Sequence, residues 1–471
     1  EAVEGANVVT TIDLEIQEVA HSELQKQLEM QNAKNGVVIV MEVKTGYIKA
    51  ISSLTKGADG NYYETFNHAI GSREVPGSTF KLASLMALLE DKKVSVHDVV
   101  DAHGKYKFFD AEMTDHDGGF GKITIQQAFE KSSNVFSKIV YDAYKTNPTG
   151  FISRLRSFGI GDTLGLPLKG EVEPTMYYPG HANWSGISLP WMAVGYEIQM
   201  TPLQTLSFYN AVANNGRFMK PQFVKEVRRG QEVITSFAPI AMKEKICSDA
   251  TVKTLQQCLA GVVQNGTGRA LKSAYLEIAG KTGTARILND DNSYGEKGSY
   301  KYQASFAGYF PAEDPIYSAI VVISAPTSEI YGARVSGTVF AAIANKVYAS
   351  TLRYHQAINE AKEKRKEMPV SKSGNRNDIE KMFRYMRIPF SSGVEGDWIT
   401  TAKKETFVEF QERFVGLDTV PNVVGMSAKD AVYLIERTGM RVKMNGYGTV
   451  VQQSIAPGSK VYNGKVELTL K

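Results

Sequence analysis

The sequence predicts an α+β fold for most of the 471-residue chain, followed by a small α/β domain. Two observations carry this prediction. Strand-like apolar segments occur near the beginning, in "GVVIVMEVKTGYIKAISS", and again in "YLEIAGKTGTARI", "YQASFAGYF" and "YSAIVVISA", while the chain between them has helical periodicity. A helical region with strands at both ends is typical of one domain whose sheet joins its N- and C-terminal strands.

The individual elements follow in order along the chain. A helix is predicted at residues 13–31, and a hairpin turns at Lys44-Thr45-Gly46. Residues 61–76 are irregular, and Pro76 and Gly77 interrupt the chain before a helix that begins near Ser78. The remaining predicted helices are two runs that meet at 132–134, residues 190–213, residues 249–263, and a long helix that closes the domain near residue 355.

Composition divides the chain into three parts. Residues 1–355 are expected to form the large domain. Residues 356–418 are charged, weakly periodic and contain "SKSGNRND", which predicts a charged linker with some local helix. Order returns over residues 419–471, where a helix at about 427–438 precedes three short strands. A domain of roughly 50 residues is marginally stable by itself.

Composition also excludes several classes of protein. The chain is 43% hydrophobic and 22% charged, which suits a globular protein, and no apolar run approaches the roughly 18 residues of a membrane span. The formal charge of +4 arises from residues 353–387, where ten Lys and Arg stand against five Asp and Glu. This excess is too diffuse for a nucleic-acid footprint, so no nucleic-acid partner is expected.

No metal or other cofactor is expected. Ser248 is predicted to cap a helix, which would separate Cys247 from Cys258 by about 15 Å along its axis. Because a disulfide needs Cα atoms within about 7 Å, we interpret both cysteines as unpaired. The segment "TDHDGG" around His116 is better interpreted as a loop than as a metal site.

Three short motifs stand in order along the chain. Ser78 and Lys81 form an S-x-x-K pair at the start of a helix, 132–134 reads Ser-Ser-Asn at a junction of helices, and 281–284 reads Lys-Thr-Gly-Thr on an edge-like strand. Each motif also occurs once elsewhere, at Ser53-Leu54-Thr55-Lys56, Ser373-Gly374-Asn375 and Lys44-Thr45-Gly46, but on unsuitable elements. An ordered set of S-x-x-K, S-x-N and K-T-G is the pattern of penicillin-binding proteins and serine β-lactamases.

The chain resembles a known family at these and further residues. "PGSTFK", "SSNVFSKI", "QMTPLQT" and "NGTG…AGKTGTA" resemble the transpeptidase domain of class B penicillin-binding proteins, most closely the division-specific FtsI type, and the segment from Val420 resembles a PASTA domain. The resemblance covers about residues 6–355 and 420–471. It implies the penicillin-binding, β-lactamase-like fold, with helices on both sides of an antiparallel sheet. "GYE" at Gly195–Glu197 departs from the more usual Gly-Tyr-Gly at the rim of the site.

The first pair of residues predicts a nucleophile with its own base. A serine hydroxyl such as that of Ser78 needs an adjacent base, and Lys81 lies one turn away on the same helix face. To act as that base Lys81 must be neutral, which at its ordinary pKa holds for only about one molecule in 2,500 at pH 7. Burial and a second cation, for which Lys281 is the candidate, would lower the pKa. The backbone N–H groups of Ser78 and Thr284 are expected to hold the oxyanion.

The other motif residues are expected to handle the proton and the substrate. Ser132 can pass a proton between Lys81 and the leaving amine, and Asn134 can hydrogen-bond Lys81 and a substrate amide. Lys281, Thr282 and Thr284 suit a substrate carboxylate. Gly283 lets a substrate backbone lie close along the strand edge.

The resemblance implies a peptidoglycan D,D-transpeptidase that cross-links stem peptides through a Ser78 acyl-enzyme and is covalently inhibited by β-lactams, with septal wall synthesis as its expected setting. Two alternatives stay open: a hydrolase (D,D-carboxypeptidase or β-lactamase), and a non-turnover sensor of muropeptides or β-lactams. The family also implies membrane division proteins as partners and an extracytoplasmic position, held by an N-terminal anchor outside this chain. The sequence begins at Glu1 without an initiator Met, so we expect a truncated piece.

Overall fold

The computed structural model describes residues 5–273, 275–288, 293, 300–350, 368–391 and 393–471. The helices are α1 (Leu14–Gln31), α2 (His68–Gly71), α3 (Lys81–Glu90), α4 (Ile125–Glu130), α5 (Val135–Tyr144), α6 (Pro148–Ser157), α7 (Ser188–Met192), α8 (Pro202–Ala213), α9 (Asp249–Gln264), α10 (Ser336–Ser350), α11 (Arg376–Tyr385) and α12 (Ala428–Glu436). Single 3₁₀ turns cover Gly77–Phe80 and Arg269–Leu271.

The strands are β1 (Asn7–Thr10), β2 (Asn35–Glu42), β3 (Ile48–Lys56), β4 (Tyr62–Tyr63), β5 (Val99–Ala102), β6 (Lys105–Phe108), β7 (Ala111–Thr114), β8 (Gly121–Thr124), β9 (Thr175–Met176), β10 (Ile198–Gln199), β11 (Phe218–Met219), β12 (Val224–Arg229), β13 (Glu232–Ser236), β14 (Ala241–Lys243), β15 (Ala279–Ile287), β16 (Lys301–Phe310), β17 (Tyr317–Ser324), β18 (Gly374–Asn375), β19 (Trp398–Lys403), β20 (Val408–Glu412), β21 (Arg441–Asn445), β22 (Val450–Gln453) and β23 (Lys465–Leu470). The chain divides into two compact units, Glu1–His355 and Gln356–Lys471.

The main sheet of the first unit joins the two ends of that unit, as predicted. Its strand order is β15-β16-β17-β2-β3-β4, and every neighbouring pair is antiparallel. The early hairpin β2–β3 meets the late strands where Val40 pairs with Ala319. Strand β15 lies at one edge of this sheet, so its outer side has no strand neighbour among the described residues.

Helices cover both faces of the sheet because successive side chains of a strand point in opposite directions. On β2, Val37, Ile39 and Met41 belong to one core cluster, which also contains residues of α3, α8 and α9. Val38 and Val40 point the other way, into a second cluster that contains residues of α1 and α10. The α+β prediction with helices on both sides of an antiparallel sheet is therefore confirmed.

Local signals set most of the helix ends. Asp13 caps α1 and Ser248 caps α9, each through a side-chain oxygen that accepts a hydrogen bond from the backbone of the first turn. Thr201 and Gln204 form a reciprocal capping box at α8, and Pro202 occupies its first position. The predicted helix toward residue 355 is observed as α10, and its residues after 350 lie outside the described part of the chain.

The middle of the unit differs from the prediction in two places. Residues 99–124 contain two antiparallel strand pairs, β5–β8 and β6–β7, which local periodicity did not indicate. The helical segment at 190–213 is divided into α7 and α8, because the backbone between them turns left-handed at Gly195 (φ +89°) and Glu197 (φ +60°). Such residues end a right-handed helix.

The interpretation of residues 356–418 as a charged linker is wrong for its folded part. Residues 373–412 contain α11 and the three-stranded sheet β18-β19-β20. The charges lie on solvated faces and hide a small apolar core made of Ile379, Phe383, Ile388, Ile399, Val408 and Phe410. Because these elements are short, the apolar positions are too few to produce a recognisable period.

This segment repeats the connectivity of the domain that follows it. In both, the residues before the helix pair antiparallel with the middle strand, which is β19 or β22. The residues after the helix pair parallel with the last strand, which is β20 or β23. The middle and last strands pair antiparallel with each other. The corresponding pairs are Gly374–Ile399 and Ser427–Thr449 before the helix, and Phe390–Val408 and Arg441–Lys465 after it. The helix and three strands predicted after residue 419 are observed as α12, β21, β22 and β23.

Cys247 and Cys258 are both buried and free, as expected from their separation along the chain. Among the helices within the described ranges, none combines the length and apolarity that a membrane span requires.

Candidate active site

Ser78 lies in the single 3₁₀ turn Gly77–Phe80 that leads directly into α3. The turn is pressed against a second loop, since the Gly77 N–H donates to the Gly195 carbonyl at 3.2 Å. A Cβ at Gly195 would lie 2.0 Å from the Gly77 oxygen, so only glycine fits there. Ser78 is not an N-cap, and its half-buried hydroxyl has no hydrogen-bond partner among the described residues. The hydroxyl is therefore not committed to a structural role.

The Lys81 ammonium is fully buried one turn after Ser78. Its Nζ donates to the Ser132 carbonyl at 2.6 Å and to Asn134 Oδ1 at 2.8 Å, and it lies 3.5 Å from Ser132 Oγ. Burial lowers the pKa of Lys81 to about 7, and the nearby Asp115 carboxylate opposes this shift. Near neutral pH a large fraction of Lys81 is thus an uncharged amine, which is the form that can accept a proton.

The Asp115 carboxylate holds the Ser-Ser-Asn turn through hydrogen bonds. This buried carboxylate follows β7 and accepts hydrogen bonds from Ser133 Oγ at 2.7 Å, from Tyr106 Oη at 3.2 Å and from the Asn134 backbone N–H. Ser132 takes a left-handed backbone (φ +57°) between α4 and α5. The hydrogen bonds from Ser133 and Asn134 tie this strained turn to Asp115.

Sequence reasoning missed Asp115. It lies in the "TDHDGG" segment, which we predicted to be a loop without a metal site. The neighbouring His116 and Asp117 are exposed, and His116 Nε2 lies 3.2 Å from Asp117 Oδ2. Two aspartates two residues apart in the same loop thus differ completely in burial, and no local signal distinguishes them. The only usable hint was their position shortly before the Ser-Ser-Asn turn.

Lys281 on β15 is the second fully buried ammonium of the site. Its pKa is lowered well below the ordinary value, first by burial and then by the charge of Lys81. Its Nζ donates to the Thr282 carbonyl at 3.2 Å and lies 5.8 Å from the centre of the Phe129 ring. The Lys281 side chain is therefore enclosed by protein atoms rather than exposed to solvent.

Burial is the main cause of the lowered pKa of both lysines. We expected Lys281 to help lower the pKa of Lys81, whereas the shift of Lys81 arises from burial and that of Lys281 includes a contribution from Lys81. We attribute the near-neutral pKa of Lys81 to burial, because its side chain has no access to solvent.

The remaining residues of the third motif line the outer side of β15. The Thr282 and Thr267 hydroxyls are 2.7 Å apart, and Thr284 Oγ1 accepts a hydrogen bond from the Gly332 N–H at 3.1 Å. A Cβ at Gly283 would lie 2.2 Å from Ser305 Oγ. Gly283 is therefore required by close packing within the sheet, in addition to any close approach by a substrate.

The structure brings all three motifs together. Gly283 faces the turn that carries Ser78, since a Cβ at Gly283 would lie 3.1 Å from Thr79 Cγ2. A Cβ at Gly77 would lie 3.0 Å from Ala285 Cβ on the same strand. Strand β15 thus borders the turn that carries Ser78, and Lys81 links that turn to Ser132 and Asn134. Residues 200 positions apart in the sequence form one cleft.

The three duplicate motifs are structural. Ser53 is buried on β3, where its Oγ donates to the Phe66 carbonyl at 2.8 Å and accepts from the His68 N–H at 2.9 Å. Residues 44–46 form the turn of the β2–β3 hairpin, and Ser373 lies in the second unit. None of these duplicate motifs forms a described hydrogen bond with a residue of the three motifs at the candidate site.

Comparisons with known proteins agree with this geometry. A family model described as "Penicillin binding protein transpeptidase domain" matches residues 36–345, and a PASTA domain model matches residues 418–471. The penicillin-binding protein PbpB of Mycolicibacterium smegmatis is 29% identical over 344 residues, which are 69% of this chain and 51% of the relative. The peptidoglycan D,D-transpeptidase FtsI of Escherichia coli K12 is 28% identical, over 72% of this chain and 55% of its own length. This chain therefore spans about half of the length of these relatives.

A solved structure shows the same fold. The crystal structure of penicillin-binding protein 3 from Mycobacterium tuberculosis, in complex with aztreonam, is 27% identical and superposes with a TM-score of 0.65 over 74% of this chain and 80% of that one. The transpeptidase model covers well over half of the 471 residues, and the three motifs inside it converge on one cleft. The chain therefore belongs to the penicillin-binding protein transpeptidase family, of the class that includes PbpB and FtsI, and it carries a PASTA domain.

Proposed function

We propose that this chain is a peptidoglycan D,D-transpeptidase that cross-links stem peptides through an acyl-enzyme on Ser78. The observation that carries the proposal is the buried Lys81 amine, whose pKa is about 7 and which is held by Ser132 and Asn134 one turn after an uncommitted serine hydroxyl. A serine can act as a nucleophile at neutral pH when such a base is available. The curated relatives named as D,D-transpeptidases support the same activity.

In the acylation step Ser78 is the nucleophile and Lys81 is its base. Lys81 Nζ accepts the Ser78 hydroxyl proton as the Ser78 oxygen attacks the carbonyl carbon of the penultimate D-Ala. The oxyanion of the tetrahedral intermediate is received by the backbone N–H groups of Ser78 and Thr284. When the amide C–N bond breaks, the proton passes from Lys81 through Ser132 to the departing amine. The products are the ester on Ser78 and free D-Ala.

The second step regenerates the enzyme. The amine of a neighbouring stem attacks the Ser78 ester and loses a proton to the neutral Lys81 amine. The new amide bond forms, the ester C–O bond breaks, and Lys81 passes that proton to the departing Ser78 oxygen. No other reactant is needed, because the energy of the broken amide is conserved in the ester. A β-lactam follows the first step only, since its opened ring stays attached to the acyl group.

Strand β15 fixes the direction of the donor peptide. An extended peptide can add to the free edge of this strand through backbone hydrogen bonds. The terminal carboxylate would lie by Thr282 and Thr284, within the field of Lys281. The residues upstream of the scissile bond then run toward Ala285 and Arg286, at the far end of the strand.

The biological setting follows from the family. We place the activity on the extracytoplasmic side of the membrane, in septal wall synthesis, with membrane division proteins as partners. The PASTA domain would serve localisation or docking, because the cleft's motifs lie in the first unit.

The nucleophile is tested by labelling with a fluorescent penicillin. Ser78→Ala should abolish the covalent label and leave the melting temperature nearly unchanged, because the hydroxyl makes no described hydrogen bond. Ser53→Ala is the matched control: it removes a buried hydroxyl with two hydrogen bonds, so it should cost about 1–3 kcal/mol of stability and still label. A label that survives Ser78→Ala and disappears with Ser53→Ala would refute the assignment.

The fate of the ester distinguishes the transpeptidase from the hydrolase and the sensor. Intact-mass spectrometry should show a penicilloyl adduct on Ser78 that persists for many minutes, because a hydrolase needs a water positioned by a base of its own. With a small thioester donor, a D-amino acid should divert the product from acid to amide. Clearance of the adduct within seconds would instead show a β-lactamase, and a product ratio that no acceptor changes would favour the sensor.

A further inference from the structure

Glu197 occupies a backbone conformation that does not suit it. Its φ is +60°, the left-handed region in which glycine is free and a residue with a long side chain is strained. The two residues before it are Gly195, also left-handed at +89°, and Tyr196. Glycine at position 197 would relieve the strain, so a glutamate there has to be maintained by something other than backbone stability.

The strained residue lies beside the candidate active site. Gly195 contacts the nucleophile's turn through its carbonyl, and the Tyr196 hydroxyl accepts a hydrogen bond from the Arg286 N–H on β15 at 3.4 Å. Consecutive Cα atoms are 3.8 Å apart, which keeps Glu197 within about 8 Å of Gly195. Glu197 therefore belongs to the loop that contacts both the turn of Ser78, through Gly195, and β15, through Tyr196.

The Glu197 carboxylate has few polar contacts among the described residues. It is half-buried, and its single hydrogen bond among the described residues comes from Ser188 Oγ at 3.4 Å. Partial burial raises the pKa of Glu197 from its ordinary value, and the hydrogen bond from Ser188 opposes this shift. Arg286 is a cation on β15, but its guanidinium lies over the Tyr300 ring, 4.2 Å from the ring centre. Within the described ranges no lysine, arginine or histidine forms an ion pair with Glu197.

We infer that Glu197 is a specificity-determining residue, and that its carboxylate receives an ammonium group carried by the acyl donor upstream of the scissile bond. The inference rests on the proposed function, because the direction of the donor along β15 defines which part of the substrate reaches this loop. A half-buried carboxylate without a cation gains most from a ligand that brings one. Donors with a free amine on the acyl side should therefore acylate Ser78 faster than matched donors without it.

Two penicillins form a matched pair of probes. Ampicillin and benzylpenicillin share the ring system and the phenyl group, and ampicillin has one additional α-amino group on the acyl side. The second-order rate constant of Ser78 acylation is measured for both drugs, and the quantity of interest is the ratio of ampicillin to benzylpenicillin. The proteins compared are the wild type, Glu197→Gln, Glu197→Gly, Glu197→Asp and the control Glu173→Gln, which removes an exposed charge from the same unit.

The ratio should fall about tenfold in Glu197→Gln and Glu197→Gly, recover in part in Glu197→Asp, and stay at the wild-type value in Glu173→Gln. Glu197→Gly should also raise the melting temperature, because it relieves the left-handed strain. A ratio that is the same in the wild type and in the Gln and Gly variants would overturn the inference. So would an unchanged ratio with a longer-lived adduct, which would make Glu197 a base for the deacylating water. If the wild type forms no adduct with either drug, the proposed function itself fails, and the inference fails with it.

Discussion

Two buried lysines dominate the chemistry at the residue scale. Lys81 and Lys281 are each fully buried, and the burial of an ammonium group is unfavourable unless hydrogen bonds or a change of protonation compensate it. Lys81 has both, since three oxygen atoms surround it and its pKa falls to about 7. The protein thus loses stability at this position and gains an amine that can act as a base.

The pH dependence of acylation follows from the Lys81 pKa. Only the neutral amine accepts the Ser78 proton, and the protonated form predominates below the pKa. The acylation rate constant for penicillin should therefore rise with pH through about 7 and level off above it. An unshifted lysine would place this rise near pH 10.4. Stopped-flow acylation between pH 5 and 9, over the range where circular dichroism shows an intact fold, measures the profile.

Matched lysine variants separate this effect from general charge. Lys81→Met should abolish acylation at every pH, whereas Lys56→Met, in the duplicate motif on β3, should retain the wild-type profile. A flat profile in the wild type, or a midpoint above pH 9, would show that Lys81 is not the base.

At the scale of elements, the β6–β7 hairpin positions the Ser-Ser-Asn turn. Asp115 follows β7 directly, and its carboxylate joins this hairpin to the junction of α4 and α5 through Ser133 and Asn134. Asn134 in turn accepts the hydrogen bond from Lys81. Two hydrogen bonds therefore connect the hairpin to Lys81, one between Asp115 and Asn134 and one between Asn134 and Lys81, although no hairpin residue belongs to a motif.

Asp115→Asn should weaken acylation and shift its pH profile. An amide offers one acceptor oxygen where the carboxylate offers two, so at least one donor of the turn loses its partner, and we expect acylation to fall about 10- to 100-fold. The negative charge of Asp115 raises the pKa of Lys81, so its removal should move the midpoint of the profile to lower pH. Stopped-flow acylation measures both effects.

The neighbouring aspartate provides the control for this prediction. Asp117→Asn changes an exposed residue of the same loop and should leave the rate and the midpoint as they are in the wild type. A loss of rate in Asp115→Asn without any shift of the midpoint would assign Asp115 a purely structural role.

At the scale of the whole molecule, the chemistry is confined to the first unit. Both of its core clusters and all three motifs lie between residues 16 and 347. The second unit has two small cores of its own, one for 373–412 and one centred on the PASTA domain. Each unit therefore buries its own apolar surface, which is the condition for independent folding.

A chain ending at residue 355 should keep penicillin acylation. None of the motif residues is removed, so the rate constant should stay within about twofold of the full chain, measured by fluorescent labelling. The same truncation with Ser78→Ala serves as the blank. If the shortened protein unfolds with one cooperative transition and yet takes no label, the second unit contributes to the site and the assignment of the chemistry to the first unit is wrong.

The sequence by itself determined the order of the motifs and the types of the elements that carry them. Ser78, Lys81, Ser132, Asn134 and 281–284 were identifiable because covalent spacing within a motif is local, and the helix and strand periods around them are local too. The edge position of β15 was predicted for the same reason. The assignment of each residue's role stays a prediction, which the labelling and pH experiments test.

Only the tertiary structure decided the environment of those residues. The near-neutral pKa of Lys81 requires complete burial, the role of Asp115 requires contact with a turn 18 residues away, and the strain at Glu197 depends on a loop packed against Gly77. The folded segment at 373–412 likewise depends on a few apolar contacts between short elements. Burial and contacts between distant residues are properties of packing, and no local pattern of the chain encodes them in a recognisable form.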